Sequence, residues 1–280
     1  MPCYLCMFAT MVTKRHLKEL RELGRKKLRE AEGRFLVEGL RMVEEAAESE
    51  FEIRELLVTE AFAASTPGRD LVEKLRRKDL LVQTITEREL ETISDTVTAQ
   101  GIVAVVSARR FELESLLQPG RSSLIVGVDA VSDPGNLGSM IRTCDWFGVN
   151  GMLIGEDSVE VYNPKVLRTT MGGIFHLPVV ESVDLLSAVD RMKKSGFTVY
   201  VTDAAGEAYA EDVRFADRAF VIMGNEARGV SPSLKHAADV RVAIRRYGLA
   251  ESLNVGVACG VLLSVLRTSP AAAERGSVHS

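Results

Sequence analysis

The sequence predicts an α/β protein of two domains, the larger and C-terminal one built on a parallel sheet, and three observations lead there. Strand-like and helical patterns alternate from Lys14 to about Val106, the rhythm of a small α/β unit. Residues 107–122 (SARRFELESLLQPGRS) lose that rhythm and carry Pro119-Gly120, which reads as a linker with some helical character over Phe111–Leu117. A second rhythm runs from Leu124 to Arg267, and its strands are short continuous apolar runs, as in a parallel sheet covered on both faces. The expected domains are therefore 12–108 and 123–267, joined by a linker at 109–122.

In the first domain a charged helix over 15–31 precedes an apolar run at Phe35–Val37 and a helix through Met42–Ala47. A strand at Ile53–Val58, a helix at Leu71–Arg76, a strand at Leu80–Val82, a short helix near Glu87–Ile93 and a β-rich run over Gly101–Val106 follow. In the second domain the strand-like runs are Leu124–Val128, Gly151–Ile154, Phe197–Val201, Ala219–Met223 and Val240–Ile244. Helical stretches fall at about 137–147, 183–193 and 252–266. No internal repeat is visible.

The chain has 280 residues, 46% hydrophobic and 26% charged, enough for two modest cores in a globular protein. It has no run of about 18 apolar residues, so no transmembrane helix is expected. The start, MPCYLCMFATMVTKR, lacks a basic residue before its apolar stretch and makes a poor signal peptide. Residues 1–11 read as a disordered leader or a start-site over-extension, and 268–280 as a disordered tail. Four scattered cysteines do not make a disulfide framework. Cys3 and Cys6 form a single CxxC without a second pair, and Cys144 and Cys259 read as small core residues. The expected compartment is reducing cytoplasm.

A net charge of −4 argues weakly against a nucleic-acid partner, but the average conceals an asymmetry. Between positions 14 and 34 lie Lys14, Arg15, Lys18, Arg21, Arg25, Lys26, Lys27, Arg29 and Arg34, against Glu19, Glu22, Glu30 and Glu32. A local basic stripe is what phosphate contacts require. A solvated, salt-bridged helix would have the same composition.

Three polar clusters follow three of the C-terminal strands. The first, DAVSDPGNLGSMIRTCDWFG at 129–148, has a turn at Pro134-Gly135, Asn136 placed to cap the helix after it, and Arg142 six residues further on. That spacing is about 9 Å of helical rise, so the arginine head extends away from the cap. A well-capped helix with a surface arginine reads identically. The second, GNEARGVS at 224–231, places Glu226 in a turn rich in backbone N–H groups, where it can receive a ribose hydroxyl or an amino group, or be an ordinary loop charge. In the third, RRYGLAESLNVGVACGVLL at 245–263, Ser252 and Asn254 open an apolar helix, either capping it or facing a cleft at the sheet's carboxyl edge.

Together the clusters resemble the three signature motifs of the SpoU/TrmH superfamily of RNA 2'-O-ribose methyltransferases. Asp133, Pro134, Asn136, Gly138, Arg142 and Thr143 match its DPxNxGxxxRT form; Gly224, Glu226 and Gly229 match GxExxG; Glu251, Ser252, Leu253, Asn254 and Val255 match ESLNV. The segment LRTTMGGIFHLPV (167–179) is similar to a further family stretch. Two departures stand out: Ile244-Arg245-Arg246 where Ile-Pro-Met is usual, and Asp145-Trp146 where small residues are usual.

The resemblance implies a C-terminal trefoil knot, a threading that ordinary topology rules would discard. It implies S-adenosylmethionine as cofactor, held by the turns at Gly224, Ile244 and Leu253, with no metal, and a homodimer formed through the knotted domain. It implies Arg142, Asn136, Glu226, Ser252 and Asn254 as the catalytic group. A guanidinium is a poor base, so Arg142 is read as stabilising the developing oxyanion and clamping phosphate, with Asn136 and Ser252 orienting the ribose. His176, tempting as a base, reads as structural in its Phe-His-Leu-Pro setting. The N-terminal unit, through 14–46, resembles the substrate-binding domain of rRNA-modifying members. Lys14, Arg15, Lys18, Arg25, Lys26 and Lys27 are thus candidate RNA contacts, and rRNA is favoured over tRNA. A non-catalytic ribosome-assembly factor on the same fold is the rival reading.

Overall fold

The computed structural model describes residues 12–268, except 77, 79, 97, 98 and 119–121. The expected leader with Cys3 and Cys6, Pro119-Gly120 of the expected linker, and the tail beyond Thr268 lie outside the described residues. The chain forms two compact units. The first is the chain to Arg109 together with Tyr162–Phe175, and the second is Arg110–Val161 together with the chain from His176 onward.

In the first unit, helices α1 (Lys14–Glu22) and α2 (Lys26–Glu32) precede β1 (Arg34–Glu38) and α3 (Leu40–Glu48). Strand β2 (Ile53–Thr59), helices α4 (Glu60–Ala64) and α5 (Thr66–Arg76), strand β3 (Leu81–Ile85), helix α6 (Glu87–Ile93) and β4 (Ile102–Ser107) complete it. The sheet order is β1-β4-β2-β3, with β4 antiparallel to both neighbours and β2 parallel to β3. The single charged helix expected over 15–31 is two. Leu23 closes α1 through its N–H to the carbonyls of Arg21 and Leu20, Gly24 follows, and Arg25 is extended before α2 begins. Leu17, Leu20 and Leu23 are buried against Leu57, Ile85, Leu90 and Val103, so the apolar stripe of α1 fastens it to the sheet.

A buried carboxylate adds to that anchorage. Glu55 on β2 accepts from Gln83 Nε2 at 2.9 Å, and both its oxygens lie within 2.8–3.0 Å of His16 Nε2 on α1. Buried polar groups persist where hydrogen bonds surround them, as here.

The second unit begins with α7 (Leu113–Leu116), β5 (Ser123–Val128), α8 (Pro134–Trp146) and β6 (Gly151–Gly155). The chain then gives α9 (Pro164–Thr170) to the first unit. The expected contiguous second domain differs here for a visible reason. Tyr162 stacks on Phe35 at 4.3 Å, Phe175 meets Phe51 edge-on at 5.2 Å, and the Tyr162 hydroxyl donates to the Arg109 carbonyl at 2.8 Å. Strand β7 (Val179–Val183), α10 (Leu185–Lys194), β8 (Thr198–Thr202), β9 (Ala208–Tyr209), β10 (Arg218–Met223), α11 (Pro232–Ala237), β11 (Val240–Ala243) and α12 (Val255–Thr268) follow.

These strands form one parallel sheet in the order β7-β6-β5-β10-β8-β11-β9. Ile125, Leu153, Val199, Val201, Phe220 and Ile222 pack with Leu185, Val189, Met192 and Leu234 of α10 and α11. Their neighbours in sequence point to the other face and are buried too, so the strands read as continuous apolar runs. Helices α8 and α12 pack on each other. Gly256 lies where an added Cβ would stand 3.3 Å from that of Ser139, which lets the two helices approach closely. Cys144 and Cys259 are both buried here, as expected of core residues.

Candidate active site

The site is assembled at the carboxyl ends of β5 and β10 and at the N-termini of α8 and α12. After β5, the N–H of Asp129 donates to the Met223 carbonyl at 2.8 Å, and its carboxylate accepts from the N–H of Ser231 at 2.7 Å. Asn225 shapes the turn after β10. Its backbone exchanges hydrogen bonds with Gly229, its Oδ1 accepts from the N–H groups of Ala227 and Arg228, and its Nδ2 donates to the Ala130 carbonyl at 2.6 Å. Gly229 has a φ of +67°. A Cβ on Gly224 would fall inside the backbone of Gly229 and Val230, so only glycine closes this turn.

The turn delivers Glu226 to the start of α8. Its Oε1 accepts from Asn136 Nδ2 at 2.8 Å and from the N–H of Asp133 at 3.3 Å. Burial pushes this carboxyl up, but hydrogen bonds from the Asn136 amide and from the backbone N–H groups of Glu226, Asp133 and Ser132 outweigh it, and the net is below the usual range. Glu226 is therefore an ionised acceptor.

Helix α8 starts earlier than its apolar spacing suggests, and Asn136 is not its cap. Asp133 is the N-cap, accepting from the N–H of Asn136 at 2.9 Å, and Pro134 occupies the first turn. Proline fits there because its missing N–H would have no helical partner. Asn136 is thus free of capping and spends its side chain on its neighbours. Its Oδ1 accepts from Asn254 Nδ2 at 2.8 Å. Asn254 in turn caps α12, its Oδ1 accepting from the N–H groups of Gly256 at 2.9 Å and Val257 at 3.3 Å. Asn254 thus caps its helix and reaches Asn136 with the same carboxamide.

Glu226, Asn136 and Asn254 form one hydrogen-bonded chain across the three clusters. Arg142 and Ser252 stand outside it. Both are exposed, and no hydrogen bond or ion pair occupies either among the described residues. Asp145 and Trp146, three and four residues past Arg142, share its helix face. Asp145 lies 3.2 Å from His176 Nδ1, so its carboxylate is engaged elsewhere, and Trp146 is 84% exposed. Gly224 is buried, Ile244 half-buried and Leu253 half-exposed. Arg245 is not the free cation its place in the sequence suggests: Glu211 and Asp212 hold it.

In the first unit, Lys14, Lys18 and Lys27 are exposed, and among the described residues no carboxylate partners them. Arg15, Arg25 and Lys26 pair with Glu19, Glu22 and Glu30 at 3.0, 2.7 and 3.6 Å. Two members of the basic stripe are withdrawn from it. Arg29 is buried and donates to the Leu23 carbonyl at 2.7 Å, and Arg34 pairs with Glu32 at 2.5 Å. Among the described residues there is no group of three or more His, Cys, Asp or Glu arranged to hold a metal ion, and no helix is long and apolar enough to cross a membrane.

The geometry can be set beside known proteins. The model of the SpoU rRNA Methylase family matches residues 123–264, and that of the MRM3-like substrate binding domain matches 14–104. This chain belongs to the SpoU rRNA methylase family. The 23S rRNA (guanosine(2553)-2'-O)-methyltransferase RlmP of Bacillus subtilis is 35% identical to it, over 90% of this chain and 95% of that protein. A 23S rRNA (uridine(2479)-2'-O)-methyltransferase of Streptomyces viridochromogenes is 29% identical, over 86% of this chain and 85% of the relative. Among solved structures, the SpoU methyltransferase AviRb from Streptomyces viridochromogenes in complex with AdoMet superposes with a TM-score of 0.80 at 27% identity, covering 94% of this chain and 98% of that one. The AdoMet-bound rRNA methyltransferase from Sinorhizobium meliloti gives 0.82 at 27%, covering 92% and 96%. Membership of the SpoU family, the α/β fold with its parallel sheet, and a separate N-terminal unit are thus as the motifs imply.

Proposed function

We infer that this chain transfers a methyl group from S-adenosylmethionine to a ribose 2'-hydroxyl of ribosomal RNA. The observation that carries the reading is the hydrogen-bonded chain Glu226–Asn136–Asn254, which gathers three sequence motifs into one place, with Arg142 exposed further along α8. Relatives named as 2'-O-methyltransferases match the protein along most of its length.

The residues present fit the cofactor. Gly224 directly follows β10 and lets its turn close on Gly229 and Val230, and the 244–254 loop offers Leu253 half-exposed and Leu249 almost fully exposed, apolar surface that a purine or a thioether chain would cover. Gly224, Ile244 and Leu253 would hold it. When bound, S-adenosylmethionine supplies an electrophilic methyl on a sulfonium sulfur, which the ribose 2'-oxygen takes as its own proton leaves.

Positioning is most of what the protein must add. Asn136, fixed on one side by Glu226 and on the other by Asn254, orients the ribose, with Ser252 as a second polar contact. Arg142 has no internal partner to neutralise it and meets the negative charge that grows on the 2'-oxygen and on the adjoining phosphate. That phosphate relays the departing proton to solvent. Lys14, Lys18 and Lys27, with Arg15, Arg25 and Lys26 released from their weak surface pairs, bind the RNA backbone.

The family's knot and homodimer belong to the same reading. Val257 and Val261 lie four residues apart on α12 and are 53% and 38% exposed, and Trp146 is exposed on α8. A second copy of the chain would cover this apolar face. Calorimetry with S-adenosylhomocysteine in metal-free buffer, followed by methyl transfer to protein-free rRNA and to tRNA, tests the function. Binding and transfer to rRNA are expected. Transfer to tRNA alone would move the substrate, and binding without transfer to either would revive the assembly-factor reading.

A further inference from the structure

We propose that Arg245 is a positioning residue for the cofactor turn, clamping the loop after β11 to the neighbouring β9 edge by charge where a proline would stiffen it covalently. The inference rests on the cofactor reading above.

Between Ala243, the last residue of β11, and Val255, the first of α12, the chain runs through residues 244–254 without helix or strand. The loop carries Ile244, Ser252 and Leu253, and its residues 246–254 are all exposed. Nothing regular in its backbone holds it, so a side chain must. The guanidinium of Arg245 donates from Nε to Glu211 at 2.5 Å and from Nη2 to Asp212 at 3.0 Å, and lies 3.7 Å from the ring centroid of Tyr209.

All three partners sit on β9 or the turn directly after it. Strand β9 already pairs with β11 at Val242–Ala208 and Ala243–Tyr209. Arg245 therefore continues that pairing with its side chain, two residues past the end of the strand. Helix α12, which follows the loop, also packs against the 210–212 turn. The two carboxylates raise the Arg245 pKa further, and the arginine lowers that of Glu211.

A clamp made of partly exposed charges has a property that a proline lacks: salt weakens it. Two surface ion pairs and a cation–π contact are together worth on the order of a tenfold change in affinity. The test is the affinity of the full chain for S-adenosylhomocysteine, a ligand of no net charge, at about 0.05 M and 1 M salt. The melting temperature of each variant is measured alongside.

Wild-type affinity should fall with salt towards that of Arg245→Ala, which should bind about tenfold more weakly at low salt and respond little to salt. The Glu211→Gln, Asp212→Asn double variant should behave like Arg245→Ala. Arg245→Pro should bind within about threefold of wild type and be insensitive to salt. Unchanged affinity in Arg245→Ala and in the double variant would overturn the proposal. So would an Arg245→Pro protein that melts like wild type yet binds as weakly as Arg245→Ala. If the wild type itself does not bind S-adenosylhomocysteine, the cofactor reading falls, and this inference falls with it.

Discussion

The carboxamide of Asn136 donates to Glu226 and accepts from Asn254, so its orientation is set from both sides by residues about 90 and 118 positions away in the chain. Replacing Glu226 by glutamine keeps the shape but sets an amide against an amide. The folded pKa of Glu226 is below its unfolded value of about 4.3. Its contribution to stability is therefore present above that value and is lost as pH falls through the lowered folded one. Glu226→Gln should thus be less stable than wild type at pH 7, and the gap should close on acidification below about pH 4. Urea midpoints at several pH values read this directly, and a gap independent of pH would contradict it. Arg142 does different work. Arg142→Ala should lose on the order of 10²–10³ in turnover, as removal of an oxyanion donor does, and leave S-adenosylhomocysteine affinity within about twofold.

At the scale of elements, the turn after β10 has the least tolerance. Gly224→Ala places a methyl group against backbone that no side-chain rotation relieves. A loss of roughly 1–3 kcal/mol in stability is expected, together with weaker cofactor binding. Calorimetry alongside thermal melting separates the two. Five of the seven strands of the parallel sheet were legible in the sequence as apolar runs, while the two edge strands were not: β7 is buried only at Val179 and Val180, and β9 is two residues long with neither buried. The start of α8 was not, because Asp133 and Asn136 are both good caps and Pro134-Gly135 reads equally as a turn or as a first helical turn. The break in the charged helix was hidden as well: leucines keep helical spacing through Leu23, and one glycine gives little warning. Arg29 shows the limit of counting charge along a stripe, since its guanidinium is turned inward to a carbonyl.

Over the whole molecule, the three motifs could be read from residue types and order alone, yet no sequence pattern announced that Tyr162–Phe175 packs with the first unit. Its aromatic partners, Phe35 and Phe51, are more than 100 residues distant. Deleting residues 12–109 would strip Tyr162 and Phe175 of their partners Phe35 and Phe51, so RNA binding is better tested in the full chain. Lys14, Lys18 and Lys27 changed together to glutamate should weaken RNA binding about equally for target and non-target RNA. The log–log dependence on salt should flatten by about 0.7 for each single-strand phosphate that is no longer neutralised. An unchanged slope would mean that α1 and α2 are a solvated surface. Methyl transfer to the ribose is tested most directly in its product. Purified protein, labelled S-adenosylmethionine and unmodified rRNA are incubated, the RNA is digested to nucleosides, and the labelled species is identified by mass. Wild type should give a single 2'-O-methylnucleoside, with Arg142→Ala giving a small fraction of it. A label on a base, or none from a folded protein that binds the cofactor, would contradict the account.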